Sequence, residues 1–381
     1  MIIPVYNEQP HVWDTVLRHI KEACIGLEVE IIVVPNGKNA EGNAVYAEGL
    51  GFNVYRLSEP SKRQAIALGA TKVKNEIAII LDSDTIVPED ALKKALWPFI
   101  DEKVGGVTPR HFVMNRTKFM HRMSDWLEDN RFNEIVKGQS VSGAVSCLPG
   151  RLFALRADEL KKAAPHLVSQ TFLGMKCVSG DDRFLTSWLL SKGYKTVYQS
   201  VSQVYTEAPD TLGGLIKQRL RWSRGSFRGT IFALPWLWKH PYTCFTVLQN
   251  IFMRWFLFLI YINAFFFQIF SNVDTHWMWE EYFWLNTNLA IITGLAAGFF
   301  IGGFFKRIRH LLYYPQDFTY YPVFLLLAAF VLTPLEWYGN LTCWKQGWIT
   351  RSDVSAVAKM KAILNAPIFP RSRKIGVMEA R

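Results

Sequence analysis

Two carboxylates stand two residues apart in Asp82-Ser83-Asp84, directly after the apolar run Ile77–Leu81. On a turn, such a pair can share one divalent cation with a nucleoside diphosphate, since magnesium is satisfied by a few carboxylates plus phosphate oxygens. The same spacing also describes an ordinary solvated turn. A second acidic pair lies in Gly180-Asp181-Asp182-Arg183, after Gln170-Thr171-Phe172-Leu173-Gly174 and before the apolar stretch Phe184–Leu190. A carboxylate close to a metal site can take a proton from an acceptor hydroxyl. Acids there can also cap a helix N-terminus, and the two roles are compatible.

Two basic groups complete the set. Lys62-Arg63 opens a helix after Ser58-Glu59-Pro60-Ser61. Helix-start amides beside two cations suit phosphate, although solvated charge explains the pair equally well. Gln218-Arg219-Leu220-Arg221-Trp222 falls on an amphipathic helix expected from about Leu212 to Phe227. Arginine clamps a diphosphate bidentately and tryptophan offers a flat face to a sugar ring. An interfacial helix, basic towards lipid head groups, has the same composition.

The elements that must position these residues follow from periodicity. Strands are expected at Met1–Tyr6, Glu30–Pro35, Phe52–Leu57 and Ile77–Leu81, and helices at His11–Ala23, Ala40–Leu50 and Lys62–Val73. Strand and helix alternate, which predicts a largely parallel, open α/β sheet. Ligands then sit beyond the carboxyl ends of the strands, where Asn7, Asn36 and Asp82 lie. Met1 leads straight into the first strand, with no signal-peptide pattern ahead of it.

Composition narrows the class. The 381 residues are 50% hydrophobic and 20% charged, too apolar for a disordered chain. The apolar residues are uneven: 1–230 reads as a soluble domain, whereas 242–343 holds long aromatic runs almost without charge. Val247–Phe270, Phe283–Phe305 and Tyr321–Cys343 each reach the length of a membrane span. The net charge of +11 has no arginine-rich tail or zinc-finger spacing behind it, so nucleic acid is not an expected partner. Much of the surplus flanks the apolar runs, where a lipid bilayer accounts for it. The cysteines, Cys24, Cys147, Cys177, Cys244 and Cys343, form no CxxC pair and read as reduced thiols.

Charge asymmetry bears on orientation. The loop Ser271–Glu281 has acids and no Lys or Arg, and so belongs outside, while Lys306–Arg309 and the basic tail belong inside. Three crossings from a cytosolic head would leave the tail outside. One stretch must therefore re-enter, or Ile231–Trp238 must also enter the membrane. Pro322 and Pro334 make the last stretch the best candidate for a break.

In order along the chain, the segments IPVYNE (3–8), LDSDT (81–85), QTFLG (170–174), GDDRFLT (180–186), TVYQS (196–200), QRLRW (218–222) and WITR (348–351) make a pattern that none makes alone. In these the sequence resembles the processive membrane glycosyltransferases of family 2, most closely the class I hyaluronan synthases. The likeness runs from Ile3 to Arg351. GDDR, QxxRW and the terminal W-x-T-R are its specific marks.

The resemblance implies an α/β GT-A (Rossmann-like) catalytic domain over 1–210. Amphipathic interfacial helices over 211–241, a transmembrane region over 242–343 and a cytosolic tail over 344–381 would follow. It further implies that Tyr6 and Glu8 hold the uridine, with Asn36 at the base edge, and that Lys62 and Arg63 contact the base or diphosphate. Asp82 and Asp84 would hold the nucleotide and Mg²⁺ or Mn²⁺. Asp182 would be the general base, oriented by Asp181. Gln218, Arg221 and Trp222 would set the acceptor terminus above the donor, with Cys147 and Arg183 on the acceptor side and Arg221 also on the diphosphate. Trp348 and Arg351 would close over the nucleotide. The implied partners are UDP-sugars, UDP-GlcNAc and UDP-GlcA first, and a growing polysaccharide. The implied location is the plasma membrane, multi-pass, with the catalytic domain in the cytosol.

The sequence departs from that family at Pro35-Asn36-Gly37, where an acidic pair is usual, at Cys147-Leu148-Pro149-Gly150-Arg151, and at Ile349 in place of glycine. The transmembrane helices that precede the family's catalytic domain are absent ahead of Met1, the expectation for a truncated or minimal form. A chitin-, cellulose- or capsule-type synthase, or an inactive membrane scaffold or transporter, would share much of this pattern.

Overall fold

The computed structural model describes residues 1–270, 298, 301–305 and 307–347. Eight strands form one sheet: β1 (Ile2–Val5), β2 (Ile32–Pro35), β3 (Asn53–Val54), β4 (Ile77–Leu81), β5 (Thr85–Ile86), β6 (Val104–Val113), β7 (Leu152–Arg156) and β10 (Lys195–Thr206). A separate hairpin pairs β8 (Thr171–Phe172) with β9 (Met175–Lys176). The order across the large sheet is β3-β2-β1-β4-β7-β6-β10-β5.

The first half is parallel, as alternating strands and helices require, and the carboxyl ends of β1, β2 and β4 lie along one edge. The second half differs from the sequence expectation. β7 runs antiparallel to both β4 and β6, and β5 is antiparallel to β10, so the sheet is mixed. The sheet also has to curl. Leu81 and Thr85 are joined by the Asp82–Asp84 turn alone, a reach of at most about 14 Å, yet β4 and β5 stand four strand spacings apart in the sheet order. A flat sheet would put them about 19 Å apart. The acidic turn therefore sits where the sheet curves back on itself.

Side chains alternate across the strands into two cores. Ile2, Ile32, Val34, Ala78, Ile80, Phe153 and Leu155 face one side, packed by α3 (Lys62–Lys72) and by the helix Ala157–Ser169. Ile3, Val5, Val33, Ile79, Leu81, Leu152 and Ala154 face the other, under the helix Pro10–Ala23. Burial of both faces explains why these strands are near-continuous apolar runs.

Beyond the sheet, the amphipathic helix runs from Leu212 to Leu237, ten residues past its expected end, so that Ile231–Leu237 is its last part and Trp238 its C-cap. Among the described residues, two helices are long and apolar enough to cross a membrane, Pro241–Ile260 and Tyr321–Leu341, both of mean hydropathy 1.5. The expected middle span, Phe283–Phe305, lies almost wholly outside the described residues. Arg254, inside the first of these helices, pairs with Glu336 of the second at 2.7 Å, and its carbonyl accepts the Trp337 indole N–H at 2.8 Å. Charges within such helices are normally paired in this way. The expected break at Pro322 or Pro334 does not occur. Pro322 sits in the first turn, where its missing N–H costs little, whereas Pro334 lies inside the continuous helical run, directly after a widened turn. The π-helical turn Ala328–Leu332 between the two segments carries the chain through.

A buried ion cluster fastens the segment before Tyr321 to the catalytic domain. His310 is 1% exposed on its side chain and faces carboxylates on both ring nitrogens, Asp129 at 3.3 Å and Asp317 at 3.0 Å. Arg122 contacts Asp317 at 2.7 Å, and Arg116 bridges Asp125 and Asp317. Asp317 accepts from Nε2, and the Asp129 carboxylate stands near Nδ1 without a formed hydrogen bond, so two negative charges favour the imidazolium. Burial opposes that charge, but Asp129 and Asp317 together raise the His310 pKa above its ordinary value. A raised folded pKa stabilises fully below the unfolded value near 6.5, and the contribution fades as pH rises through the folded pKa. Wild type should therefore exceed His310→Gln in thermal stability by about 1.5–3 kcal/mol in mild acid. The gap should narrow on the alkaline side. A gap that widens with pH in detergent-solubilised protein would contradict the imidazolium.

Candidate active site

The Asp82–Asp84 turn is pinned on three sides. The Asp82 N–H donates to the Arg151 carbonyl at 2.9 Å, and the Ser83 hydroxyl donates to Glu8 Oε1 at 3.0 Å. Lys62, at the start of α3, donates to Asp82 Oδ1 at 2.6 Å and lies 3.3 Å from Asp181 Oδ2. Ser61 caps α3 by accepting the Gln64 N–H, which sets where Lys62 emerges. Enclosure, together with the charge of Asp84, pushes the Asp82 carboxyl up to about 6 although Lys62 pulls it down. Burial likewise raises Asp181, but Lys62 and Arg63 outweigh it and hold it below its ordinary value. Crowded carboxylates of this kind suit a cation. Among the described residues no three His, Cys, Asp or Glu side chains gather as a ligand set. A cation here would take Asp82 and Asp84 and complete its shell with phosphate oxygens and water, the habit of magnesium.

Towards β2, Asn36 is 1% exposed. Its Nδ2 donates to the Val5 carbonyl at 2.8 Å, which fixes the amide, and its Oδ1 is buried with no hydrogen-bond partner. A fixed amide with an open carbonyl oxygen can accept from an N–H donor but cannot donate to a ring-nitrogen acceptor. Tyr6 packs its ring against Gly37 of the same strand end. Glu8 is held by a reciprocal pair with Asn43, N–H to Oδ1 at 3.1 Å and Nδ2 to O at 2.9 Å.

The second acidic pair opens the helix α8 (Asp181–Ser191), whose N-cap, Gly180, has φ 81°, a conformation that glycine adopts without strain. Asp182 Oδ2 accepts the Gly150 N–H at 3.2 Å and lies 3.7 Å from Cys147 Sγ, while Oδ1 accepts the Arg183 N–H at 2.7 Å. Thr186 donates to the Asp182 carbonyl at 2.7 Å and accepts the Leu148 N–H at 2.9 Å. Burial, then the nearby Asp182 charge, pushes the Cys147 thiol up to about 11, so it is a neutral neighbour.

The loop Cys147–Arg151 is thus the hub. Cys147 and Gly150 hold Asp182, the Arg151 carbonyl holds Asp82, and the Arg151 guanidinium stands 5.5 Å from the Trp222 ring. Arg219 lies 5.0 Å from the same ring, so Trp222 is flanked by two cations. Arg221 is half-buried and has no ion-pair or hydrogen-bond partner among the described residues, and Gln218 is half-buried one turn before Trp222.

Two expected residues are placed differently. Arg63 is buried, and its guanidinium donates to the carbonyls of Leu167 and Ser179 and to Gln170 Oε1 at 2.8–3.0 Å, bracing the loop ahead of Gly180 from behind. Consecutive helix residues point about 100° apart, so Lys62 and Arg63 cannot both face the turn. Arg183 packs against Gly229 of the long helix so closely that a Cβ there would lie 2.0 Å from its Cδ. It lines a small cavity with Ser146, Ser187, Trp236 and Val247.

Trp348 and Arg351 lie outside the described residues. The chain just before them docks on the acidic loop: Arg228 donates to the Cys343 carbonyl and to Ser179 Oγ, and Val178 N–H donates to Gln346 Oε1 at 3.4 Å. Arg228, Arg131 and Glu128 were not singled out by motif. Arg228 and Glu128 are buried and Arg131 is half-buried, and a charged residue taken below the surface leaves no periodic signal in a sequence.

A family model described as Glycosyltransferase like family 2 matches residues 1–225. Among curated relatives, a hyaluronan synthase of Streptococcus pyogenes is 26% identical over 364 residues, covering 93% of this chain and 83% of the relative. An N-acetylglucosaminyltransferase of Rhizobium leguminosarum bv. viciae is 31% identical over 248 residues, 62% of this chain and 57% of the relative. Its counterpart from Rhizobium meliloti (strain 1021) is similar to the same extent.

Proposed function

The chain belongs to glycosyltransferase-like family 2 and is a glycosyltransferase, and on that premise we propose that it polymerises UDP-sugars into an extracellular β-linked polysaccharide, in the manner of a hyaluronan synthase. The reading is carried by the Cys147–Arg151 loop, which ties Asp82, Asp182 and Trp222 into one site. Tyr6 and the open Asn36 Oδ1 take the uracil, whose N3–H can donate where the ring N3 of cytosine cannot. Glu8 orients the ribose side and, through Ser83, the acidic turn.

The acceptor sugar rests on Trp222, with Gln218 and Cys147 beside it. Its hydroxyl gives its proton to Asp182 as the oxygen attacks the anomeric carbon from the face opposite UDP, so configuration inverts. Arg221 stabilises the leaving diphosphate, and Lys62 holds Asp181 and Asp82 at their separation. Mg²⁺ or Mn²⁺ held by Asp82 and Asp84 would neutralise the charge that develops on the diphosphate. Trp348 and Arg351 close over the nucleotide. The catalytic domain faces the cytosol, the apolar helices cross the plasma membrane, and the polymer leaves between them.

Purified protein in detergent, with Mg²⁺ or Mn²⁺, should release UDP from UDP-GlcNAc and build polymer only when UDP-GlcA is also supplied. Polymer from UDP-GlcNAc alone would assign a chitin-type product. No UDP release from a panel of UDP-sugars would favour an inactive scaffold or transporter.

A further inference from the structure

Glu128 is 1% exposed near the end of the helix Phe119–Asn130, just before the chain widens into the π-helical segment Arg131–Val136. Such widenings recur at functional sites. Three guanidiniums from three elements converge on its carboxylate. Arg151 approaches Oε1 and Oε2 at 3.4 Å each, Arg219 lies 3.7 Å from Oε1, and Arg131 lies 4.0 Å from Oε2. Burial raises the carboxyl, but Arg151, Arg131 and Arg219 outweigh it and hold it at about 2, so it is charged at any working pH. One carboxylate among three cations leaves two positive charges over. Arg151 and Arg219 are the two that flank Trp222. Arg131 reaches the same carboxylate from the first residue of the π-helical segment.

We infer that Glu128 is a positioning residue for transfer: through Arg151 and Arg219 it gathers the Trp222 helix and the Cys147–Arg151 loop around the acceptor. The inference rests on the proposed role of Trp222 as the acceptor platform. Without Glu128, three guanidiniums face one another with no carboxylate between them, and their repulsion moves the loop and the helix apart.

Steady-state kinetics of the full chain in detergent would test this with Glu128→Gln and Glu128→Asp. In Glu128→Gln, kcat for polymer synthesis should fall about 10²-fold, as for a misplacement remote from the chemistry, with donor KM little changed and slow donor hydrolysis by water retained. Glu128→Asp, which keeps the charge, should retain most polymer synthesis and serves if Glu128→Gln does not fold. Polymer synthesis at the wild-type rate in Glu128→Gln, an equal loss of donor hydrolysis, or a loss in Glu128→Asp as large as in Glu128→Gln would each overturn the inference. Elongation at the wild-type rate in Trp222→Ala would refute the acceptor platform separately.

Discussion

Asp182→Asn should lose polymer synthesis by about 10²–10⁴-fold, the usual cost of removing a general base, while it still binds UDP-sugar. The amide keeps the shape of the carboxylate but has a single acceptor oxygen, so it keeps one of the two bonds, from the Gly150 or the Arg183 N–H, that the two carboxylate oxygens accept. What disappears is the group that takes the acceptor proton as the bond forms. The loss should therefore fall on kcat rather than on donor KM. Trp222→Ala provides the contrast. Trp222 carries no titratable group, and its ring lies between Arg151 and Arg219 as a platform. Its loss should end elongation yet permit slow hydrolysis of the donor by water, a reaction that still uses Asp182. Polymer should be absent from both variants, and UDP release without polymer should persist in Trp222→Ala and fall in Asp182→Asn. Wild-type polymer yield from Asp182→Asn would refute the base. If Trp222→Ala altered only membrane insertion, QRLRW would be an interfacial helix and nothing more.

Asp84→Asn should abolish transfer with folding nearly unchanged. The side chain is half-buried on a turn, where substitutions usually cost no more than about 0.5 kcal/mol. Removing one of two carboxylates from a cation that has few other protein ligands removes most of its hold. Asp82→Asn should be equally inactive but less clean, because it also removes the negative charge that Lys62 pairs with at 2.6 Å and leaves Asp181 as its carboxylate partner. Titration of UDP binding with Mn²⁺ would separate the cases. Wild type should bind UDP more tightly as Mn²⁺ rises, and Asp84→Asn should not respond. Full activity in Asp84→Asn, with or without added Mn²⁺, would show that the acidic pair is only a turn.

Much of this protein was legible from sequence because the relevant signals are local. The apolar strands Ile2–Val5, Ile32–Pro35 and Ile77–Leu81 announce themselves by composition, and the helices between them by period. A chain that alternates the two must lay those strands parallel, which puts Tyr6, Asn36 and Asp82 at one edge. The apolar helices after Pro241 announce themselves by length. The motif order is likewise a property of the chain alone, and so was the enzyme class.

Tertiary structure decided what depends on residues far apart in sequence. That β7 runs antiparallel between β4 and β6, and that β5 closes the far edge, depends on pairings across tens of residues that no local pattern encodes. Side-chain direction is another such property. Lys62 and Arg63 look interchangeable in sequence, but one helical step turns the first onto Asp82 and the second onto the backbone behind Gly180. The last is the company that a buried charge keeps. Glu128 sits in a run, Leu127-Glu128-Asp129-Asn130-Arg131, that reads as solvated helix surface. The fold instead brings Arg151 and Arg219 from distant elements to surround it, because a carboxylate can be buried only where cations arrive to compensate it.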